Sequence, residues 1–158
     1  MTSAEPSSRS ESRPRLSLCM IARDEAACIE RALRSAASVC DELVVVDTGS
    51  RDATPDIARA CGARVLPFTW CDDFSAARNF GLEQASGSWA LVMDADEAVA
   101  GKDGAVIRRH VDEAAADAYR MATRNYSGAQ TLEGWTPCGE GDLAEAHGAP
   151  GWFTTWKI

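Results

Sequence analysis

Histidine is nearly missing from this chain: His110 and His147 are the two it has among 158 residues, and neither stands near a cysteine. The six cysteines, at positions 19, 28, 40, 61, 71 and 138, include no C-x-x-C pair. A zinc site draws four such ligands from short spacings, so zinc is not expected. Cys19 and Cys28 sit in or beside apolar patterns, where a free thiol acts as a small hydrophobe, and reduced thiols in a cytoplasmic protein are the simplest account. A basic surplus is also absent. Sixteen Lys and Arg against 24 Asp and Glu leave a net charge of -8, which argues against a nucleic-acid interface. No apolar run is long. Leu43 to Val46 and Trp89 to Met93 are far short of the roughly 20 residues that cross a bilayer, so no transmembrane segment is expected. Met1 to Arg15 is rich in Ser, Glu and Arg with no apolar core, which is not a secretory signal; residues 1–14 read as a disordered leader. Finally, no G-x-G-x-x-G follows the first apolar run and no G-x-x-x-x-G-K-[ST] occurs. A dinucleotide would lack its pyrophosphate cradle, and a P-loop phosphotransferase is excluded.

What is present is an alternation. Leu16 to Ile21 is a nearly continuous apolar run, as in a strand covered on both faces, and Arg23-Asp24-Glu25 breaks it. Ile29, Leu33 and Ala36 then form a helical stripe that ends near Ser38. Leu43 to Val46 is a second, β-branched strand followed by the turn Asp47-Thr48-Gly49-Ser50. Thr54 and Pro55 read as N-cap and first residue of a short helix stopped at Gly62. Val65 to Phe68 is a third strand, and Phe74, Ala77, Leu82 and Ala85 mark a third helix, with Gly81 inside it as a point of close approach to a sheet. Trp89 to Met93 is the fourth strand, 103–115 a weaker helix, and Ala118 to Thr123 a fifth strand. Trp152 to Ile158 resembles one more. Strands alternating with helices predict a doubly wound α/β layer with a parallel sheet, filling one domain over 15–158.

The informative stretch is Trp89-Ala90-Leu91-Val92-Met93-Asp94-Ala95-Asp96-Glu97, a buried-type strand that ends in three carboxylates. In an open α/β sheet ligands bind outside the carboxyl ends of the strands. Asp94 and Asp96 there suit Mg²⁺ or Mn²⁺, which take one or two carboxylates together with phosphate oxygens and water. The competing reading is an acidic surface turn. Three strands end in polar groups, at Arg23-Asp24-Glu25, Asp47-Thr48-Gly49-Ser50 and Asp94-Ala95-Asp96, and parallel strands would gather all three on one edge. An acidic protein can bind an anionic nucleotide there if a cation supplies the local positive charge.

Four segments, Leu18-Cys19-Met20-Ile21-Ala22-Arg23-Asp24-Glu25, Val44-Val45-Val46-Asp47-Thr48-Gly49-Ser50-Arg51-Asp52, Asp73-Phe74-Ser75-Ala76-Ala77-Arg78-Asn79 and Met93-Asp94-Ala95-Asp96-Glu97, together resemble the family 2 glycosyltransferases of the GT-A fold. The likeness is greatest to a bacterial branch often associated with tetratricopeptide repeats. It is strong over 15–100 and weak beyond. It implies a GT-A, Rossmann-like, mostly parallel sheet flanked by helices and incomplete on the C-terminal, acceptor side. It also implies a nucleotide-diphosphate sugar donor, usually a UDP-sugar, a divalent metal, and inverting transfer to an acceptor. By position, Glu25 would sit at the ribose or base, Asp47 would accept from the base ring N–H, and Arg78 would meet the base or diphosphate. Asp94 would face the ribose and, with Asp96, the metal.

Each residue also has a structural role open to it. Asp47 can start a turn, Arg78 can lie along a helix surface, Glu25 can favour a helix N-terminus, and Asp72 or Asp73 can cap the third helix. Asp24 stands where the family usually has asparagine and adds negative charge near the diphosphate. Trp135, Trp152 and Trp156 fit core packing or an acceptor groove. Inverting displacement needs a general base, which the family carries after the metal motif; Glu140, Asp142 and Glu145 are the candidates here. The abbreviated acceptor side leaves a second expectation beside a working transferase: a fragment, or one subunit of a split assembly, that binds the nucleotide sugar without transferring it. A sugar nucleotidyltransferase ranks last, because Ala22-Arg23-Asp24-Glu25 supplies no glycine-rich loop.

Overall fold

The structure is a computed structural model that describes residues 16–127, 136–137 and 151–157. It divides into two compact units that meet in sequence between Glu113 and Ala114.

The first unit is built on a four-stranded parallel sheet. Its strands are β1 (Leu16–Ala22), β2 (Glu42–Asp47), β3 (Arg64–Pro67) and β4 (Trp89–Val92), in the order β3-β2-β1-β4. Helices α1 (Ile29–Ala37), α2 (Thr54–Ala60) and α3 (Phe74–Gln84) make the crossovers, and α4 (Gly104–Glu113) follows β4. The central strand, β1, pairs Cys19 with Val44 on one side and with Val92 on the other. Its continuous apolar sequence follows from that position, since both of its faces are covered.

The pleat sorts β1 into two sets of side chains. Leu16, Leu18, Met20 and Ala22 join Ile29, Ala32, Leu33 and Ala36 of α1 in the main core, with Leu43 and Val45 of β2 and Ala58 of α2. Ile29 and Leu33 are fully buried, and each contributes about 2 to 3 kcal/mol of hydrophobic stabilisation. The alternate residues meet α3. Cys19 directs its thiol toward the Gly81 carbonyl at 3.9 Å, and a Cβ added at Gly81 would lie 2.9 Å from Val46 Cγ2. Helices therefore cover both faces, as the alternation of elements predicts.

The buried face of α3 differs from the one its hydrophobic pattern suggests. Ala77 and Gly81 are buried, whereas Phe74 is 69% exposed and Leu82 is exposed. The helix runs so near the sheet that only small residues fit between. Gly81→Ala should consequently destabilise the protein by about 1 to 2 kcal/mol in urea denaturation, because the gain in helix propensity is smaller than the overpacking against a stiff valine. Val46→Ala should remove most of that penalty when the two changes are combined.

Other boundaries shift for local reasons. Ala53, not Thr54, precedes the first residue of α2, because the Thr54 side chain is drawn into the loops described below. Gly62 adopts φ +84 and ends the α2 turn as expected. Asp73 caps α3, accepting from the N–H groups of Ser75 at 2.8 Å and Ala76 at 3.1 Å.

In the second unit, β5 (Met121–Ser127), β6 (Thr136–Pro137) and β7 (Gly151–Lys157) form a separate antiparallel sheet in the order β5-β7-β6. The fifth strand expected at 118–123 is found a few residues later, at 121–127, and it belongs to this second sheet, where it pairs antiparallel with β7 and Met121 stands opposite Lys157. The terminal segment is a strand, as its composition suggests.

Candidate functional site

β1, β2 and β4 are neighbours and parallel, so their carboxyl ends open onto one edge of the sheet. All three polar clusters picked out in the sequence are there. The loop after β1 holds Asp24 at φ +56, a left-handed conformation that Asp and Asn share more readily than other residues with a Cβ. This explains why aspartate can stand at a position where asparagine is usual. Its added charge is offset locally: Asp24 accepts the Arg51 N–H at 2.6 Å and lies 3.9 Å from the Arg23 guanidinium.

Three consecutive amides tie this loop to the one after β2. Asp24 N–H donates to Ser50 Oγ at 3.0 Å, Glu25 N–H to Thr54 Oγ1 at 2.7 Å, and Ala26 N–H to Asp52 Oδ2 at 3.1 Å. Thr54 also donates both its hydroxyl and its N–H to Asp52, which holds the Asp52 carboxyl below its ordinary range. Glu25 is half-buried and accepts from the Cys28 thiol at 3.1 Å. Burial first, then the hydrogen bond and charge of Glu25, push the Cys28 thiol up to about 11, so it is a neutral donor at pH 7 and not a nucleophile.

Asp47 terminates β2 and accepts the Ser50 N–H at 3.0 Å, so it does start a turn. It also lines a cleft of about 450 Å³ with Thr48, Gly49, Pro67, Phe68, Thr69 and Trp70. The cleft lies between the carboxyl ends of β2 and β3. The β3 side of it was not legible as a site in the sequence, because Pro67 to Trp70 carries no charge. Its signal was positional: β3 is the neighbour of β2, and any parallel neighbour contributes its end to the same edge.

At the other end of this edge, Arg78 of α3 reaches Asp94 at 3.3 Å. Asp94 and Glu97 close the turn reciprocally, with Asp94 N–H donating to Glu97 Oε2 at 2.9 Å and Glu97 N–H donating to the Asp94 carbonyl at 3.1 Å. Arg31 of α1 donates to the Asp96 carbonyl at 2.7 Å. The turn is therefore held by backbone groups and by residues other than Asp96, whose carboxylate is exposed and takes no hydrogen bond from any described residue. Among the described residues no three His, Cys, Asp or Glu side chains converge on one point. A closed protein cage for a metal is therefore not found there. One or two carboxylates on an open corner fit a hard divalent cation that completes its oxygen shell with phosphate and water.

The structure thus brings Glu25, Asp47, Arg78, Asp94 and Asp96 to one edge. Glu140, Asp142 and Glu145 lie outside the described residues, as does Trp135. The described cysteines, Cys19, Cys28, Cys40, Cys61 and Cys71, are all free thiols. No helix among the described residues is long and apolar enough to cross a membrane.

Residues 17–146 match the family model of glycosyl transferase family 2. A TPR repeat-containing protein of Synechococcus elongatus is 48% identical over 106 residues, which is 67% of this chain and 26% of that protein. An uncharacterized glycosyltransferase of Rickettsia bellii is 37% identical over 83 residues, 52% of this chain and 28% of that protein. Among solved structures, TarS of S. aureus shares the fold with a TM-score of 0.56 at 24% identity, over 63% of this chain and 32% of that one. The mannosyltransferase PcManGT of Pyrobaculum calidifontis, in complex with GDP-Man and Mn²⁺, has a TM-score of 0.57 at 26% identity, over 68% of this chain and 34% of that one. The matches span about a quarter of the length of these curated relatives and about a third of the two solved chains. With the polar ends of β1, β2 and β4 gathered on one edge of a GT-A sheet, the chain belongs to glycosyl transferase family 2.

Proposed function

We propose that this chain holds the donor side of a metal-dependent glycosyltransferase, binding a nucleotide-diphosphate sugar at the carboxyl edge of its parallel sheet for inverting transfer to an acceptor. The observation that carries the reading is the span of that edge. An uncharged cleft wall faces Asp47 at one end, and the Asp94-Ala95-Asp96 corner with Arg78 stands at the other. The nucleoside diphosphate part of such a donor has the same polarity, with a planar base at one end and the charged diphosphate, which carries the sugar, at the other.

The roles follow from the chemistry of each group. Asp47 has a carboxylate oxygen beyond the one that holds Ser50, suited to a base ring N–H. Arg78 offers a planar fork to carbonyl or phosphate oxygens, with Asp94 keeping its guanidinium at the site. Glu25 and Asp94 face ribose hydroxyls. Asp96, with Asp94 beside it, supplies the carboxylates that would hold Mn²⁺ or Mg²⁺. When bound, such a cation offsets the charge of the departing diphosphate as a Lewis acid. The mannosyltransferase of Pyrobaculum calidifontis, in complex with GDP-Man and Mn²⁺, supports a nucleotide sugar and a cation as the ligand class. We place the general base that removes the acceptor proton among Glu140, Asp142 and Glu145.

Calorimetric titration of the full chain with UDP and with GDP, each with and without Mn²⁺, tests this reading. Nucleotide binding that requires Mn²⁺ is expected, with UDP preferred, and Asp47→Ala should weaken it about tenfold through loss of the charged acceptor. Absence of Mn²⁺-dependent binding to either nucleotide would overturn it. Transfer from a radiolabelled donor panel then separates an active enzyme from a donor-binding fragment or subunit, which would bind without turnover.

A further inference from the structure

Trp70 is more constrained than a loop residue between β3 and α3 needs to be. Its indole N–H donates to Asp72 Oδ1 at 2.8 Å. Asp72 itself sits at φ +59, a conformation uncommon for a residue with a Cβ. The indole also meets Phe74 edge to face, with ring centroids 4.8 Å apart and planes at 70°. Phe74 is 69% exposed, so this pair adds little to the core, and its effect is to fix the indole. Phe68 is held in the same way against Phe80 of α3, at 5.5 Å and 45°. Both held rings, Phe68 and Trp70, line the same cleft as Asp47, and Trp70 is only half-buried.

A held, half-buried aromatic ring that shares a cleft with a carboxylate suits a flat ring that carries an N–H on its edge. The aromatic surface rewards planarity, which every nucleobase has, and the carboxylate reads the edge. We infer that Trp70 is the stacking platform for the donor's nucleobase, and that Asp72 is a positioning residue that sets the angle of the indole. This rests on the donor-site reading above and adds to it the group that holds the base face. The division of tasks also predicts how the chain tolerates different bases: stacking is indifferent to base identity, so discrimination falls to Asp47 and its neighbours on the edge.

The test compares ligands with and without a base. UDP, GDP and inorganic pyrophosphate are titrated in the presence of Mn²⁺ into the full chain, Trp70→Leu, Trp70→Phe and Asp72→Ala. Trp70→Leu should weaken whichever nucleotide the wild type binds about tenfold and leave pyrophosphate unchanged. Trp70→Phe should recover most of that loss, and Asp72→Ala, which keeps the ring but frees it, should lose severalfold on the nucleotide alone. Equal weakening of pyrophosphate and nucleotide, or nucleotide affinity unchanged in Trp70→Leu, would overturn the inference. A wild type that binds no nucleotide overturns the donor site itself, so the two failures are told apart by which protein shows them. Because Asp72→Ala retains the tryptophan and lies on an exposed loop, it remains informative if Trp70→Leu fails to fold.

Discussion

Asp96→Asn is expected to lower Mn²⁺-dependent nucleotide affinity about a hundredfold while leaving the melting temperature unchanged. The size follows from the role proposed for the carboxylate. Removing a group that merely supports a metal ligand costs roughly 10 to 100-fold in affinity, and a carboxylate that meets the cation itself belongs at the top of that range. The specificity of the effect follows from the turn. Arg31 grips the Asp96 backbone carbonyl, and Asp94 and Glu97 close the corner on each other, so the side chain of Asp96 can change without loosening anything. Asparagine is nearly isosteric and differs mainly by one negative charge. Calorimetry with UDP and GDP at fixed Mn²⁺, beside a thermal melt of the same sample, reads both quantities. Affinity within a factor of about three of the wild type would remove Asp96 from the metal site.

The largest effect on stability is expected at the opposite edge of the sheet, from Glu42→Gln. Glu42 opens β2 and is the hub of a polar knot. Oε2 accepts from Ser17 Oγ at 2.7 Å, from Ser86 N–H at 2.8 Å and from Ser86 Oγ at 2.9 Å, while Oε1 accepts from Arg64 at 3.0 Å. Ser17 in turn accepts the Gly87 N–H at 2.9 Å. The knot joins the starts of β1, β2 and β3 with the approach to β4. Burial alone would raise the Glu42 pKa, but the hydrogen bonds from Ser17, Ser86 and Arg64 outweigh it and bring the carboxyl down to about 2, against an ordinary value of 4.5.

A glutamine amide would turn donors toward donors and leave at least one of these groups unsatisfied, at a cost of about 2 kcal/mol. For a chain of this size that corresponds to a fall of roughly 4 to 8 °C in Tm. The pH dependence has a definite sign. The folded pKa lies below the unfolded one, so the contribution of the carboxylate is fully present above about pH 4.5 and is lost as pH falls through about 2. Urea denaturation of wild type and Glu42→Gln across that window should show two stability curves that converge toward the acid end. Curves that stay parallel from pH 6 to pH 2 would mean that Glu42 is not the group that holds the knot.

How much of this could be read from the sequence depended on whether the controlling contact was local. β1, β2 and α1 were legible because burial on one or both faces writes itself into a period, as Leu16 to Ile21 and the Ile29, Leu33, Ala36 stripe show. The acidic corner at Asp94 and Asp96 was legible because an apolar strand ends abruptly in charge. α3 was harder. Its apolar residues Phe74 and Leu82 suggested an inner face, yet the nearness of Val46 reserves that face for Ala77 and Gly81, and the displaced Phe74 orients Trp70 instead. The antiparallel pairing of β5 with β7 joins segments far apart in the chain, and no local pattern states the direction in which two such strands will meet. The cleft wall at Pro67 to Trp70 lacked a charged group to draw notice, although strand order alone places it beside Asp47.

The three amides of Asp24, Glu25 and Ala26 carry a consequence for how the chain must handle an anion. In many α/β nucleotide sites the first crossover presents its free N–H groups to the phosphates, and the opening of the first helix does the work of a positive charge. Here those donors already serve Ser50, Thr54 and Asp52. They are saturated before any ligand arrives, so the first crossover acts as a brace between two loops, and in the donor site proposed above the electropositive task would pass to Arg78 and to an imported ion. That would make recognition conditional in a way that a backbone cradle is not. Availability of the ion, and not nucleotide concentration alone, would set the occupancy of the site.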